Sequence, residues 1–398
     1  MLLIGIIMNL KNGSFDLFHP LIIVAMVILF LLIATPMWYF YGRLPAPNLD
    51  LYLYIGLGLL FFILGIFAVD YILFNKSKFN KIPNPNNDFK SPYNSFSDKI
   101  PNPKRLSLSD SYSKDELIIV GLVSLGILLQ IINIISLGGI PLFSAALKAK
   151  AATKIWLLSY IVFLPSINIL LAKYNRKSHY LLLLVGLILF ALTGYRTTPI
   201  AIMLSSLITL YYTRDVDLKY IILAILAIGI VLLAVGFIAV QAISWQHWSL
   251  NPIELVSYRA AFTLNILSNA IENQCVTMGS LFYATLTGFF THTDPRVLVG
   301  IATINRNHSI TSTIFGPALL DFGILGMIVQ MFLLGIVLKA LHSLQIYKKS
   351  IFSAFYGILL AQTIIWIETG PTDVVVWLFY LIAIFIIIKS LRGMDYGT

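Results

Sequence analysis

Five arginines, Arg43, Arg196, Arg259, Arg296 and Arg306, stand in a chain where charge is scarce, and none has an acid three or four residues away. The ordinary ion pair within a helix is therefore closed to them. A guanidinium is planar and presents its donors as a fork that fits two phosphate oxygens at once, so several on one face make a cradle for a pyrophosphate. Three of the five lie in residues 242–314, a polar and aromatic island that also holds His247, His292, His308, Glu254, Glu272 and Asp294. Histidine suits general-base work near neutral pH, and carboxylates can take the same proton. His308 is the first candidate base, with Glu272, Asp294 and Glu368 behind it. The turn ETGPTD at 368–373 puts Glu368 and Asp373 on one side, as bases or as partners for the arginines.

Such groups need a scaffold, and the composition says which kind. With 59% hydrophobic residues, 11% charged and mean hydropathy +0.89, the chain is an all-α polytopic membrane protein rather than a soluble domain. Spans are expected at about 20–40, 51–74, 115–137, 154–172, 218–241, 315–338, 351–367 and 374–388, several of them reaching the length that crosses a bilayer. The block 180–212 carries GYRTTP in its middle and reads as one kinked helix or two short ones. Two helices give ten spans and leave nineteen of the 27 Lys and Arg cytosolic. Arg43, Lys148, Lys150, Lys154, Arg196, Arg259, Arg296 and Arg306 then lie outside. One helix inverts the downstream half and places most of its cations outside, so the positive-inside rule selects two. Both termini are then cytosolic, residues 75–114, rich in Asn, Pro, Ser and Lys, form a flexible cytosolic loop, and the island at 242–314 is extracytoplasmic. Residues 1–398 read as one integral membrane domain without a removable leader.

The net charge of +10 is spent on membrane orientation, and no nucleic-acid partner is expected. The single cysteine, Cys275, excludes an intramolecular disulfide and a multi-cysteine metal site. Asp215 and Asp217 have the D-x-D spacing that can hold a metal and a nucleotide sugar, but beside Arg214 and Lys219 they read as a solvated turn. Within the island, Asn251 and Pro252 open an amphipathic helix in which Ile253, Val256, Ala260, Leu264, Leu267 and Ile271 recur at steps of three and four. Glu254 and Glu272 fall on one flank and Arg259 on the other, so they do not cancel. That helix lies on the membrane surface or packs on the bundle. Arg43 and Arg296 equally fit contacts with lipid headgroups or pairing across loops. Asp321, inside a span, must be paired or line a wet cavity.

The span layout, GGIPLF at 138–143, GYR at 194–196, the late external loop and the polar run into GPALLDFGILG at 316–326 resemble the oligosaccharide repeat-unit polymerases, the Wzy-type enzymes of prokaryotic surface-polysaccharide assembly. The resemblance implies a C-type, metal-independent glycosyltransferase without a cofactor. Such an enzyme joins polyprenyl or dolichyl pyrophosphate-linked oligosaccharides on the outer face of the cytoplasmic membrane, working with a flippase and a chain-length regulator. It implies pyrophosphate binding by Arg196, Arg259 and Arg306, with Arg296 as a further candidate. An arginine ten residues before a glycine, a pattern of some members, is not met, since nine residues separate Arg306 from Gly316. Two other readings share much of this pattern: a glycan ligase of the same fold, and a transporter or flippase of lipid-linked glycans.

Overall fold

The computed structural model describes residues 16–79, 113–174, 176–214, 216–241, 250–291, 293–347 and 349–395. Most of the loop read at 75–114 lies outside these residues, as do Asp215, His247 and His292. Among the described residues the fold is entirely helical. Its helices are α1 (Ile22–Thr35), α2 (Leu49–Phe79), α3 (Lys114–Ser136), α4 (Ala145–Lys150), α5 (Lys154–Lys173), α6 (Lys177–Ala191) and α7 (Thr197–Thr213). There follow α8 (Leu218–Gln241), α9 (Pro252–Glu272), α10 (Ser280–Thr291), α11 (Pro295–Ile304), α12 (Gly316–Tyr347), α13 (Ile351–Thr369) and α14 (Val374–Asp395).

Six of these segments are long and apolar enough to cross a bilayer: Ile22–Phe40, Leu49–Ile72, Lys114–Ser136, Lys154–Lys173, Gly316–Ile346 and Ile351–Thr369. Lys177–Ala191, Lys219–Ile230, Pro295–Ile304 and Val374–Ser390 are shorter apolar helices. The chain is thus a helical, multi-pass membrane protein. The block 180–212 is two helices, α6 and α7, broken at Gly194, whose φ of +74° is a conformation that glycine adopts without cost. α2 runs five residues past the end expected for the second span, to Phe79.

Between helices in lipid the apolar effect gives little discrimination, so close packing and buried polar contacts must do the joining. α2 and α12 run side by side in the same direction and touch through Gly65 and Gly335. A methyl built on Gly335 would overlap the Phe62 carbonyl oxygen and lie 3.3 Å from the Gly65 Cα. Asn168 on α5 ties itself to α7 by donating to Ser205 Oγ at 3.1 Å and accepting from Thr209 Oγ1 at 2.9 Å. Gly357 of α13 packs against that same turn of α7.

α9 packs on the bundle. Asn251 caps it, accepting from the Glu254 amide at 2.8 Å while Glu254 accepts from the Asn251 amide at 3.0 Å, which satisfies two otherwise orphaned donors. Ala260, Leu264, Leu267 and Ile271 of the expected stripe are buried, whereas Ile253 in the first turn stays exposed. Ser257 donates to the Ile33 carbonyl at 2.6 Å and Trp38 Nε1 to Asn265 at 3.1 Å, fixing the helix against α1 and the π-helical turn that extends it.

Asp321 in α12 is paired, with no need of a wet cavity. It accepts from Thr277 Oγ1 (2.6 Å) and from the amides of Gly279 (3.0 Å), Leu281 (3.1 Å) and Phe282 (2.6 Å), and so caps the start of α10 from another helix. Gly323, at φ +66°, breaks α12 two residues later. Carbonyls of the preceding turn then accept from outside the helix, Leu319 from the Cys275 amide at 3.2 Å and Leu320 from the Thr277 amide at 3.1 Å.

Candidate active site

The break before α7 and the last turn of α13 meet at one end of the bundle. Arg196, on the residue that opens α7, donates to Glu368 Oε1, and Arg259 Nε from α9 donates to the same oxygen at 2.9 Å. Arg259 also reaches Thr311 Oγ1 at 3.4 Å. The acid that no helical spacing supplies to these arginines is distant in sequence but adjacent in space. One carboxylate does not neutralise two guanidiniums, and a third cation stands beside them. Burial, together with the charges of Arg196 and Arg259, lowers the pKa of Lys148 on α4. The hydroxyl of Tyr195, next to Arg196, donates to the Lys148 carbonyl at 3.0 Å and fixes α4 against the break. The side chains of Arg196, Arg259 and Glu368 keep 25%, 42% and 26% of their surface, so a ligand can reach them.

A second cluster of opposite balance adjoins the first. Asp294 caps α11, accepting from the Arg296 amide at 2.9 Å and from Arg296 Nε at 3.1 Å. Burial pushes its pKa up, but the Arg296 charge and hydrogen bonds from Arg296 and Ser309 outweigh burial and leave it below the usual value. Asp373, on the turn between α13 and α14, goes the other way: burial raises its pKa, Asp294 adds to the rise, and Arg296 only partly offsets them. Asp373 is nonetheless an exposed residue.

Three consecutive residues join the clusters. Ser309 bonds to Asp294, the Ile310 amide donates to the Arg296 carbonyl at 3.0 Å, and Thr311 accepts from Arg259. The chain reaches this position because Asn305, at φ +52°, ends α11 in the left-handed conformation and turns residues 306–310 back along that helix.

Of the eight residues singled out from sequence, the structure gathers Arg196, Arg259 and Glu368 in one cluster and Arg296 and Asp294 in the next. Arg306 and His308 lie exposed on the returning loop, and neither makes a side-chain ion pair among the described residues. Glu272 is thirteen residues beyond Arg259 on α9, about 20 Å along the axis at 1.5 Å per residue, and does not join either cluster. Lys148 and Tyr195 are the members that sequence reasoning left unselected. The signal for Lys148 was its place after GGIPLF, facing the same side as Arg196.

At the opposite end of α7 and α13, a polar cluster secures the amino-terminal segment. Asp16 accepts from Tyr212 at 2.8 and 2.9 Å and meets His342 Nε2 at 2.8 Å, while Lys339 pairs with Asp70 at 3.1 Å.

Residues 16–380 match the family model described as "Putative O-antigen polymerase". Among curated proteins, the uncharacterized protein MJ0420 of Methanocaldococcus jannaschii is 29% identical over 282 residues, covering 71% of this chain and 68% of its own. The uncharacterized protein MJ0419 of the same organism is 28% identical over 277 residues, covering 67% of this chain and 76% of its own. No solved structure matches. The chain belongs to the O-antigen polymerase family.

Proposed function

Taking that membership as premise, we propose that this protein polymerises lipid-pyrophosphate-linked oligosaccharide repeat units on the outer face of the cytoplasmic membrane. In this reading the chain has ten spans in a C-type glycosyltransferase arrangement, both termini are cytosolic, and the arginine end faces outward. A flippase delivers the lipid-linked unit, because its charged pyrophosphate cannot cross the hydrocarbon unaided.

The observation that carries the reading is the convergence of Arg196 and Arg259 on the single carboxylate of Glu368, with Lys148 close enough to feel both guanidiniums. Excess positive charge on partly exposed side chains at one end of the bundle calls for an anion, and two forked donors suit a pyrophosphate. The reaction is attack of an acceptor sugar hydroxyl on the anomeric carbon of the donor. The carbon–oxygen bond to phosphate breaks, and lipid pyrophosphate leaves. Negative charge grows on the bridging oxygen as that bond lengthens, and fixed cations lower the barrier where it grows. No metal is required for this step. Arg306 and His308, exposed on the loop that leads to Thr311, are placed to meet the polar part of the lipid-linked glycan.

The test is replacement of Arg196 and Arg259 with alanine, one at a time, in cells that make the polymer. Each variant should reach the membrane at normal level and leave single repeat units where the native protein leaves a ladder. Full-length polymer from both variants would remove the arginine cluster from the mechanism.

A further inference from the structure

We propose that Asp373 is the general base that activates the acceptor hydroxyl, and that the Asp294–Arg296 pair beside it forms the acceptor sugar subsite. This rests on the polymerase reading above and goes beyond it by naming the proton acceptor and the place of the second sugar.

The other candidate bases are already engaged or badly placed. Glu368 takes two guanidiniums on one oxygen, and protonating it would forfeit both pairs. Asp294 accepts two bonds from Arg296 and one from Ser309. Glu272 lies at the far end of α9, and the exposed His308 makes no side-chain bond among the described residues that would orient its ring. Asp373 makes no ion pair among the described residues and keeps exposed surface.

It is also held in place. Gly370, at φ +74°, ends α13, and a methyl built there would lie 2.7 Å from the Thr313 carbonyl oxygen. The Thr372 amide closes on the Gly370 carbonyl at 2.9 Å, and Trp377 Nε1 grips the Pro371 carbonyl at 3.0 Å. The backbone carbonyl of Asp373 accepts from Val376 and Trp377, the first turn of α14. A rigid turn thus carries a free carboxylate five residues from Glu368.

The charged and titratable groups around Asp373 are Arg296 and Asp294 from α11, Tyr160 from α5 and Tyr195 at the start of α7, with Glu368 on its own turn. Tyr195 borders both clusters, since its hydroxyl reaches the Lys148 carbonyl while its neighbour Arg196 holds Glu368. An acceptor sugar seated over Asp294 and Arg296 therefore lies next to a donor whose pyrophosphate is held by Arg196, Arg259 and Lys148. Two carboxylates around one arginine, with pKa values moved in opposite directions, divide the labour: Asp294 stays ionised and binds, while Asp373 takes a proton more readily.

In the step, the acceptor O–H gives its proton to the Asp373 carboxylate as its oxygen bonds to the donor's anomeric carbon. The electron pair of the breaking carbon–oxygen bond leaves on the lipid pyrophosphate, and Asp373 later releases the proton to water.

The experiment uses the full-length protein in liposomes with a synthetic polyprenyl-pyrophosphate oligosaccharide, comparing the native protein with D373N, D373E and H308Q. D373N should lower kcat by about 10²–10⁴, as loss of a positioned base does, with KM for the lipid substrate within about 3-fold. D373E should recover part of the rate. The native kcat should fall toward acid with a midpoint above the ordinary carboxylate range, and the residual rate of D373N should lack that limb. D373N retaining native kcat, or H308Q abolishing turnover where D373N does not, would overturn the assignment while leaving the polymerase reading intact. No turnover by the native protein, with polyprenyl pyrophosphate still bound, would instead count against the reading on which it rests.

Discussion

Substituting Arg259 by alanine separates binding of pyrophosphate from maintenance of the fold. Among the described residues Arg259 makes one charged bond, to Glu368 at 2.9 Å, and one long bond, to Thr311 at 3.4 Å. Its side chain keeps 42% of its surface, and Glu368 remains paired with Arg196 when Arg259 is gone. No buried charge is orphaned, so the fold should lose no more than a partly exposed ion pair supplies, about 0–1 kcal/mol. A bound pyrophosphate loses more. A hydrogen bond to a charged group contributes about 1.5–3 kcal/mol, which is roughly a 12- to 150-fold weaker Kd at about 1.4 kcal/mol per tenfold. Turnover should fall further, by about 10²–10³, because the missing donor faces charge that grows in the transition state. R259K should lie between, since it keeps the charge and gives up the fork. The assay is the Kd of polyprenyl pyrophosphate for detergent-purified protein, with the thermal unfolding midpoint recorded on the same samples. A folded R259A protein that binds within about 2-fold of native would refute the reasoning, because no arrangement that uses this guanidinium as a phosphate ligand predicts so little.

Other consequences concern the scaffold. Gly335→Leu should lower the thermal midpoint markedly and scatter the protein in gel filtration, because overpacking costs about 1–3 kcal/mol and the clash here is with backbone of α2. Asp321→Ala strips one hydroxyl and three amides of their acceptor, at about 1–3 kcal/mol for each donor left buried. Limited proteolysis should then cut near residues 275–283, and an unchanged digest would show that α10 is held by other means. Burial, with the charges of His342 and Lys339, lowers the pKa of His19 to about 3 despite the opposing pull of Asp16. The unfolded chain therefore binds this proton first, at about 6.5, and the folded state loses stability as pH falls from there toward about 3. Replacing His19 with Asn should flatten the pH dependence of the thermal midpoint across that window.

Local pattern carried the sequence reading a long way. A helix begins at Asn251 because an Asn–Pro start satisfies orphaned amides, and the GYRTTP break divides the 180–212 block because Gly194 takes a positive φ. What local pattern could not supply was every partner brought in by the fold. Arg196 and Glu368 are 172 residues apart, and Arg259 and Glu368 are 109 apart. A search at helical spacing finds no acid for either, because the carboxylate that pairs with both comes from a turn far along the chain. Asp321 was legible as a charge that needed a partner, yet its partners are backbone amides at the start of α10 that no side-chain pattern announces. Lys148 entered the charge count by side of the membrane, but only the docking of α4 against Tyr195 brings it to the arginines. Glu272 illustrates the converse: it shares a helix and a loop with Arg259, and the axial rise of that helix still keeps the two apart.

In the proposed reaction, cations at one end of this bundle hold a lipid pyrophosphate while a sugar hydroxyl displaces it. Its most direct measurement is the stoichiometry of the purified protein acting on a polyprenyl-pyrophosphate oligosaccharide, with glycan length and free lipid pyrophosphate followed together. One lipid pyrophosphate released for each new glycosidic linkage, without added divalent metal, is the predicted result. Unextended glycans in the presence of a folded protein that binds the substrate would contradict it.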